Sequence, residues 1–598
     1  MGVGGWTRGL IGAVALATFA CVSPTFAPPA PWRNSSGPTG TPTPSPIPTV
    51  VATPTATAQA PAPTFTPTPQ PTPTSTPEPD PRLSSDGVQL FPQPLHAGDQ
   101  FSVDVEVLLP ETVRTEDLDG VRVTLTTSAN GSHSSAVGPG GLDQQLRARF
   151  HWIAQLPETS GTVVFTLTLE LPPNIVDPNP ANNVAVLSAQ LHPRDTLSPP
   201  EPAARWALTE TTGFRVHYLT GSAAERDLDR ILEDAYAAHG EVAAQLGEPD
   251  DPIDIYLIDR VIGQGGYASS GWVVVSYTDR RYAPVTLSSV FKHELVHRLD
   301  AAVGCDGAPP WLREGLAVYV AGGHYRPEPV REKAAALLGT THYIPLDSLS
   351  RGFYTHQHEA AYLEAGAIVQ FIVEDWGWDT LLTVCETVSS AGEDEQVNAD
   401  DQARWNSIVA AMGYSNTRAL EEAWQLWLRA KAIDPRTRSM LELELALMDA
   451  MRTYQAAYDA PAHFLEGILF SPEDGRRLDI VADFVRRPRT PAAIAIELVL
   501  AMAQEAVEQQ DSVLLALLLE ELDLALGLGT ERSALVQDAV RITELALAQG
   551  QEPYRLVVQA DRRFLVYTLD RAAWPLQNLL SARRVGGDWD LATVELVH

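Results

Sequence analysis

Cysteine is nearly absent from this chain. Three occur in 598 residues, at 21, 305 and 385, too few for a small disulfide-stapled fold or a cysteine-based zinc finger. Basic residues are outnumbered, with 42 Lys and Arg against 75 Asp and Glu and a formal net charge of -33. That balance argues against nucleic-acid binding and against electrostatic adhesion to anionic lipid headgroups, both of which reward basic stripes. Long apolar runs are lacking too. Beyond Leu10–Cys21 no segment approaches the roughly 20 apolar residues of a membrane span.

The one apolar run is preceded by Arg8, and its length suits the core of a signal peptide over 1–27. Ala20-Cys21 resembles a bacterial lipoprotein cleavage site, although Thr18 stands where such sites prefer leucine. Two outcomes stay open: a membrane tether through a lipidated Cys21, or ordinary cleavage. Residues 28–84 are dominated by Pro and Thr and cannot bury a core. They are expected to form an extended stalk, whose Pro-rich part, 28–81, spans up to ~170 Å at ~3.1 Å per residue. Signal, stalk and folded domains in that order predict an extracellular or cell-surface location. In an oxidising exterior Cys305 and Cys385 can pair, two buried thiols being the alternative.

From 85 to 195 the pattern has period two. Phe101, Val103, Val105 and Val107 alternate with polar residues, Val163, Phe165, Leu167 and Leu169 do the same, and Asn130-Gly131 marks a turn. This predicts a small β-sandwich. Asp177-Pro178-Asn179-Pro180-Ala181-Asn182-Asn183-Val184 resembles the end of the CARDB-type, immunoglobulin-like domains of bacterial surface proteins. Such a domain spaces its neighbour or binds a partner.

The chemistry is concentrated in His293-Glu294-Leu295-Val296-His297. Residues four apart share a helix face, so the two imidazoles can converge on one ion, with Glu294 beside them as base. Thr286 suits an N-cap, Leu287, Val290, Phe291, Leu295 and Leu299 recur at helical intervals, and Gly304 ends the run. A second helix begins at Pro309-Pro310 and carries Glu314 in its first turns, where a carboxylate can face back toward the histidines. Asp300 and Val303 stand where a metzincin needs glycine and histidine, which excludes that subclass.

These residues resemble the gluzincin branch of the zincin metallopeptidases, and within it the peptidase MA-like families, whose second helix carries a W-L-x-E-G-L-A type motif; here it is complete from Trp311 to Ala317. The resemblance spans about 205–432 and implies an α+β zincin-like domain. It implies one Zn2+ held by His293, His297 and Glu314, and hydrolysis of peptide or protein substrates by a zinc-activated water with Glu294 as general base. The G-x-M-E-N type motif of gluzincin aminopeptidases is missing, so an endopeptidase is expected. Tyr362, opening Tyr-Leu-Glu-Ala-Gly-Ala-Ile-Val, resembles the tyrosine that points at the carbonyl oxygen in the aminopeptidase-type gluzincins, with Tyr325 and Tyr354 as rival donors and a packing role as the alternative.

Upstream, Phe214–Tyr218 and Ile253–Ile258 suit strands flanking a helix from Ala223 to Leu246. His217 lies in that strand pattern and is expected to be a core histidine. A glycine-rich turn, 265–271, leads into the apolar strand Trp272–Tyr277. By position that strand resembles the zincin sheet edge on which an extended peptide lies, with a buried central strand as the alternative. A phosphate-binding reading of Gly263–Gly266 is weak, because a strand follows rather than a helix. Beyond 433 the pattern is mostly helical and closes with strand-like stretches, predicting an α+β accessory domain over 433–598. The chain is thus expected to be a multidomain metallopeptidase. The reading from another class is a non-catalytic surface adhesion protein on a zincin scaffold.

Overall fold

The computed structural model describes residues 80–594 apart from 111–112, 114, 129–130, 141, 143–144, 250, 270, 325, 391–405, 464–470 and 560–562. The signal peptide, nearly all of the stalk, Cys21, Asn130 and Tyr325 lie outside the described residues.

Seven antiparallel strands form the N-terminal layer: β1 (Arg82–Phe91), β2 (Gln100–Leu108), β3 (Arg122–Thr127), β4 (Gly131–Gly140), β5 (Gln145–Gln155), β6 (Gly161–Glu170) and β7 (Val184–Leu191), in the order β1-β2-β5-β4-β3-β6-β7. β4 pairs with β3 through Gly131–Ala136 and with β5 through Val137–Gly140, so one strand joins both halves. The alternating residues Phe101, Val103, Val105, Val163, Phe165 and Leu167 all turn inward onto one core, as period two dictates.

The next sheet is built from β8 (Trp206–Glu210), β9 (Phe214–Leu219), β10 (Ile253–Ile258), β11 (Gly266–Ala268) and β12 (Trp272–Ser276), in the order β11-β12-β10-β9-β8. β9, β10 and β12 run parallel, with α1 (Leu228–Leu246) as the connection between the first two. β12 is therefore interior, and Val273, Val274 and Val275 are fully buried. The edge on this side belongs to β11, formed by the stretch that the sequence marks only as a glycine-rich turn, and β8 is the opposite edge. His217 is buried as expected; its Nε2 lies 2.8 Å from Asp254 Oδ1 and its ring stacks on Tyr256.

α2 (Leu287–Leu299) packs against β11 and β12, α3 (Pro310–Ala321) packs on α2, and α4 (His358–Trp376) packs on α3. Thr286 caps α2 by accepting from the Ser289 N–H, and Gly304 closes the following 3-10 turn with φ +71, a left-handed position suited to glycine. α3 and α4 touch closely because Gly315 has no side chain. A Cβ there would meet the Ala365 carbonyl oxygen at 2.5 Å. Cys305 and Cys385 form a disulfide across 80 residues of sequence.

The C-terminal part contains α5 (Pro435–Tyr458), α6 (Pro491–Glu508), α7 (Ser512–Leu528) and α8 (Ala534–Ala548), followed by the antiparallel sheet β13 (Gln551–Val558), β14 (Phe564–Asp570), β15 (Gln577–Val585) and β16 (Asp588–Thr593). Periodicity alone does not mark β15. α5 serves two cores, with Leu441 and Leu445 in the one under α2–α4 and Met448 and Met451 in the other. Arg486, 5% exposed, fastens this part to the rest. It donates to Asp99 Oδ2 at 2.6 Å, to Glu201 Oε2 at 3.0 Å and to the Pro94 carbonyl at 2.7 Å. Trp152 Nε1 donates to Asp483 at 2.7 Å alongside.

Candidate metal centre

His293 and His297 lie one turn apart on α2, and Glu314 enters from α3, which starts at Pro310 and carries the carboxylate on its second turn. The three inward atoms form a near-equilateral triangle. His293 Nε2 and His297 Nε2 are 3.2 Å apart, and Glu314 Oε2 is 3.1 and 3.2 Å from them. Among the described residues this is the one His, Cys, Asp or Glu cluster with metal-ligand spacing.

The donor set fits zinc. Four-coordinate zinc at ~2.0–2.1 Å from each donor requires donor separations of roughly 3.3 Å, close to those found. Protons alone satisfy the arrangement poorly, because both imidazole Nε2 atoms crowd a single carboxylate oxygen. Each Nδ1 is buried without a hydrogen-bond partner among the described residues, and Asp300 Oδ2 stands 4.0 Å from that of His297. Burial alone would raise the Glu314 carboxyl, but the two imidazoles hold it well below the usual carboxylate range. Its other oxygen accepts from the Tyr354 hydroxyl at 2.7 Å, which orients the ligand.

Glu294 faces the same space, 7% exposed. Burial pushes its carboxyl up to about 8, with the nearby Glu314 charge adding and His293 opposing. The strand edge comes equally close: a Cβ on Gly266 would lie 2.8 Å from Glu294 Oε1. Glycine at 266 is what lets β11 pass over the base.

These groups line a cavity of about 240 Å³, completed by Ile262, Tyr267 and Ala268 on the sheet side, Arg313 and Tyr362 on the helices, Leu142 from the β4–β5 connection and His463 after α5. Tyr362 stands on α4 with its ring flat against His324, centroids 3.8 Å apart, and 6.0 Å from that of His293. His293, Glu294, His297, Glu314 and Tyr362 thus share one cavity. Of the rival tyrosines, Tyr354 is engaged with Glu314. The sequence pattern does not single out Arg313, Leu142 or His463. Arg313 sits inside the quoted motif, at its variable position; no local pattern points to the other two.

No family model matches the chain, and no curated protein does. Solved structures similar to it include an M1 zinc metallopeptidase from Deinococcus radiodurans, at TM-score 0.26 and 13% identity over 60% of this chain and 96% of that one. An aminopeptidase N family protein from Idiomarina loihiensis follows at 0.23 and 10%, covering 57% and 73%, and a metallopeptidase from Bacteroides thetaiotaomicron at 0.19 and 9%, covering 66% of each chain. Likeness of that size decides nothing about the site, whose reading rests on its own donors.

Proposed function

We propose that this chain is a zinc-dependent peptidase of gluzincin type, hydrolysing peptide bonds with Glu294 as general base. The observation that carries the reading is the convergence of His293, His297 and Glu314 within 3.1–3.2 Å of one another, in the cavity that also holds Glu294. Zinc held by those three residues would supply a Lewis acid for the scissile carbonyl and lower the pKa of a water. Glu294 takes the proton of the attacking water and passes it to the leaving amine, a task suited to a buried carboxylate of raised proton affinity. β11 offers the outer main-chain edge of the sheet beside that base, where an extended peptide can pair without particular side chains. Tyr362 is our donor to the developing oxyanion.

Internal peptide bonds are the better substrate. Glu294 and Glu314 are the carboxylates lining the cavity, both already in use, so none among the described residues is left for a free α-ammonium. We also read the protein as exported, either tethered through a lipidated Cys21 or released by ordinary cleavage; the signal-like run Leu10–Cys21 supports this, and a disulfide suits an oxidising compartment.

Two variants test the roles. Glu314→Ala should lose zinc, whereas Glu294→Gln should keep zinc and lose turnover of a peptide library, because it removes only the proton acceptor. Equal zinc loss in both sinks the assignment. A zinc-replete wild type that cleaves no library member returns the chain to the adhesion reading.

A further inference from the structure

Arg313 immediately precedes Glu314 on α3 and lines the same cavity as His293, Glu294 and His297. One side of its guanidinium is fixed: Nε and Nη2 both donate to Asp300 Oδ2, at 2.9 and 2.7 Å. Asp300 is itself buried, 2% exposed. The end of the fork is differently placed. Nη1 has no partner among the described residues, and the side chain keeps 34% exposure. A guanidinium held by one carboxylate still offers a pair of parallel N–H donors at its end, the geometry that grips a second carboxylate.

The surroundings favour an anion there. With a net charge of -33, the protein as a whole repels acidic ligands, so a carboxylate is drawn in only where a fixed cation sits at the binding surface. The cavity's own carboxylates are engaged on the metal triangle and the base. A free α-ammonium finds no partner, but a carboxylate does.

We propose that Arg313 anchors a carboxylate of the substrate, making the enzyme selective for peptides that carry one close to the scissile bond. This rests on the peptidase reading above and names the substrate class of that site. The carboxylate has two sources: an Asp or Glu side chain beside an internal bond, in line with the endopeptidase reading, or the peptide's own C-terminus, which would make the enzyme a carboxypeptidase instead. A charge-assisted hydrogen bond of this kind corresponds to a preference of about 10- to 100-fold in kcat/KM.

The experiment uses four peptides around one cleavable bond, with a free or amidated C-terminus crossed with Glu or Gln at the neighbouring positions. Each is assayed with zinc-loaded wild type, Arg313→Gln and Arg313→Lys. Wild type should favour the carboxylate-bearing peptides by about 10- to 100-fold, the crossed design showing which carboxylate matters. Arg313→Gln should bring the ratio near one, and Arg313→Lys should retain part of it. The ratio is the readout because Arg313 also steadies Asp300 near His297: structural damage lowers every rate but leaves the ratio unchanged. Equal cleavage of all four peptides by wild type, or a preference that survives Arg313→Gln, overturns the anchor while the peptidase reading stands. Failure of zinc-loaded wild type to cut any peptide overturns the peptidase reading, and the anchor with it.

Discussion

Replacing Glu294 by Gln should change how the stability of the zinc-free protein depends on pH. The folded carboxyl is pushed up to about 8 by burial, against an ordinary value of 4.5. Below pH 4.5 the group is protonated in folded and unfolded chains alike and contributes nothing. Between 4.5 and about 8 the unfolded chain releases the proton while the folded chain keeps it, so stability falls as pH rises, by about 1.4 kcal/mol per unit. By pH 7 this amounts to about 3 kcal/mol. Glutamine does not titrate, so the gap between variant and wild type should open across that window and level off above it. For a unit of 150–250 residues, about 3 kcal/mol corresponds to roughly 6–12 °C in Tm. Calorimetry of both proteins in chelator from pH 4.5 to 9 measures the gap. Parallel curves would refute the reasoning, since they would mean that Glu294 titrates as it does in water.

Tyr354→Phe removes the hydroxyl that orients Glu314 and should weaken zinc affinity about 10- to 100-fold by competition with a chromogenic chelator, an unchanged affinity counting against that role. Tyr362→Phe keeps the ring stacked on His324 and should lower kcat by roughly 10²-fold with zinc content intact; normal turnover removes Tyr362 from the chemistry. Thiol titration of the denatured, unreduced protein should find neither Cys305 nor Cys385, and Cys305→Ala with Cys385→Ala should cost about 4.5 kcal/mol, the chain-entropy figure for a loop of 80 residues.

The ligands were legible because helical spacing is local. His293 and His297 share a face by sequence distance alone, Thr286 and Gly304 mark the ends of that segment, and Trp311–Ala317 carries Glu314 on the adjoining helix. What periodicity cannot carry is which separate segments meet. Val273–Val275 is equally apolar at the centre or the edge of a sheet, and only pairing on both sides shows that β12 is interior and that Gly266–Ala268 is the edge. Leu142 and His463 reach the cavity from 151 residues before and 170 residues after His293. The bond from Tyr354 to Glu314 is a long-range side-chain matter too, outside any window of ten or twenty residues, and the pair of Arg313 with Asp300 depends on how two successive helices are angled. Only the Cys305–Cys385 bridge could be posed in advance, since two thiols leave a single pairing.

The Arg486 clasp bears on how such a chain can be rebuilt in evolution. A domain joined to its neighbour by a bare linker can be exchanged for another by a single recombination event. Here the guanidinium is buried against Asp99, nearly 400 residues away in sequence, and Glu201, nearly 300 away. Transplanting a foreign N-terminal sheet would remove Asp99 and leave Glu201 as the remaining carboxylate, and breaking a buried ion pair costs several kcal/mol. Exchange of the N-terminal sheet would therefore call for a compensating change at Arg486.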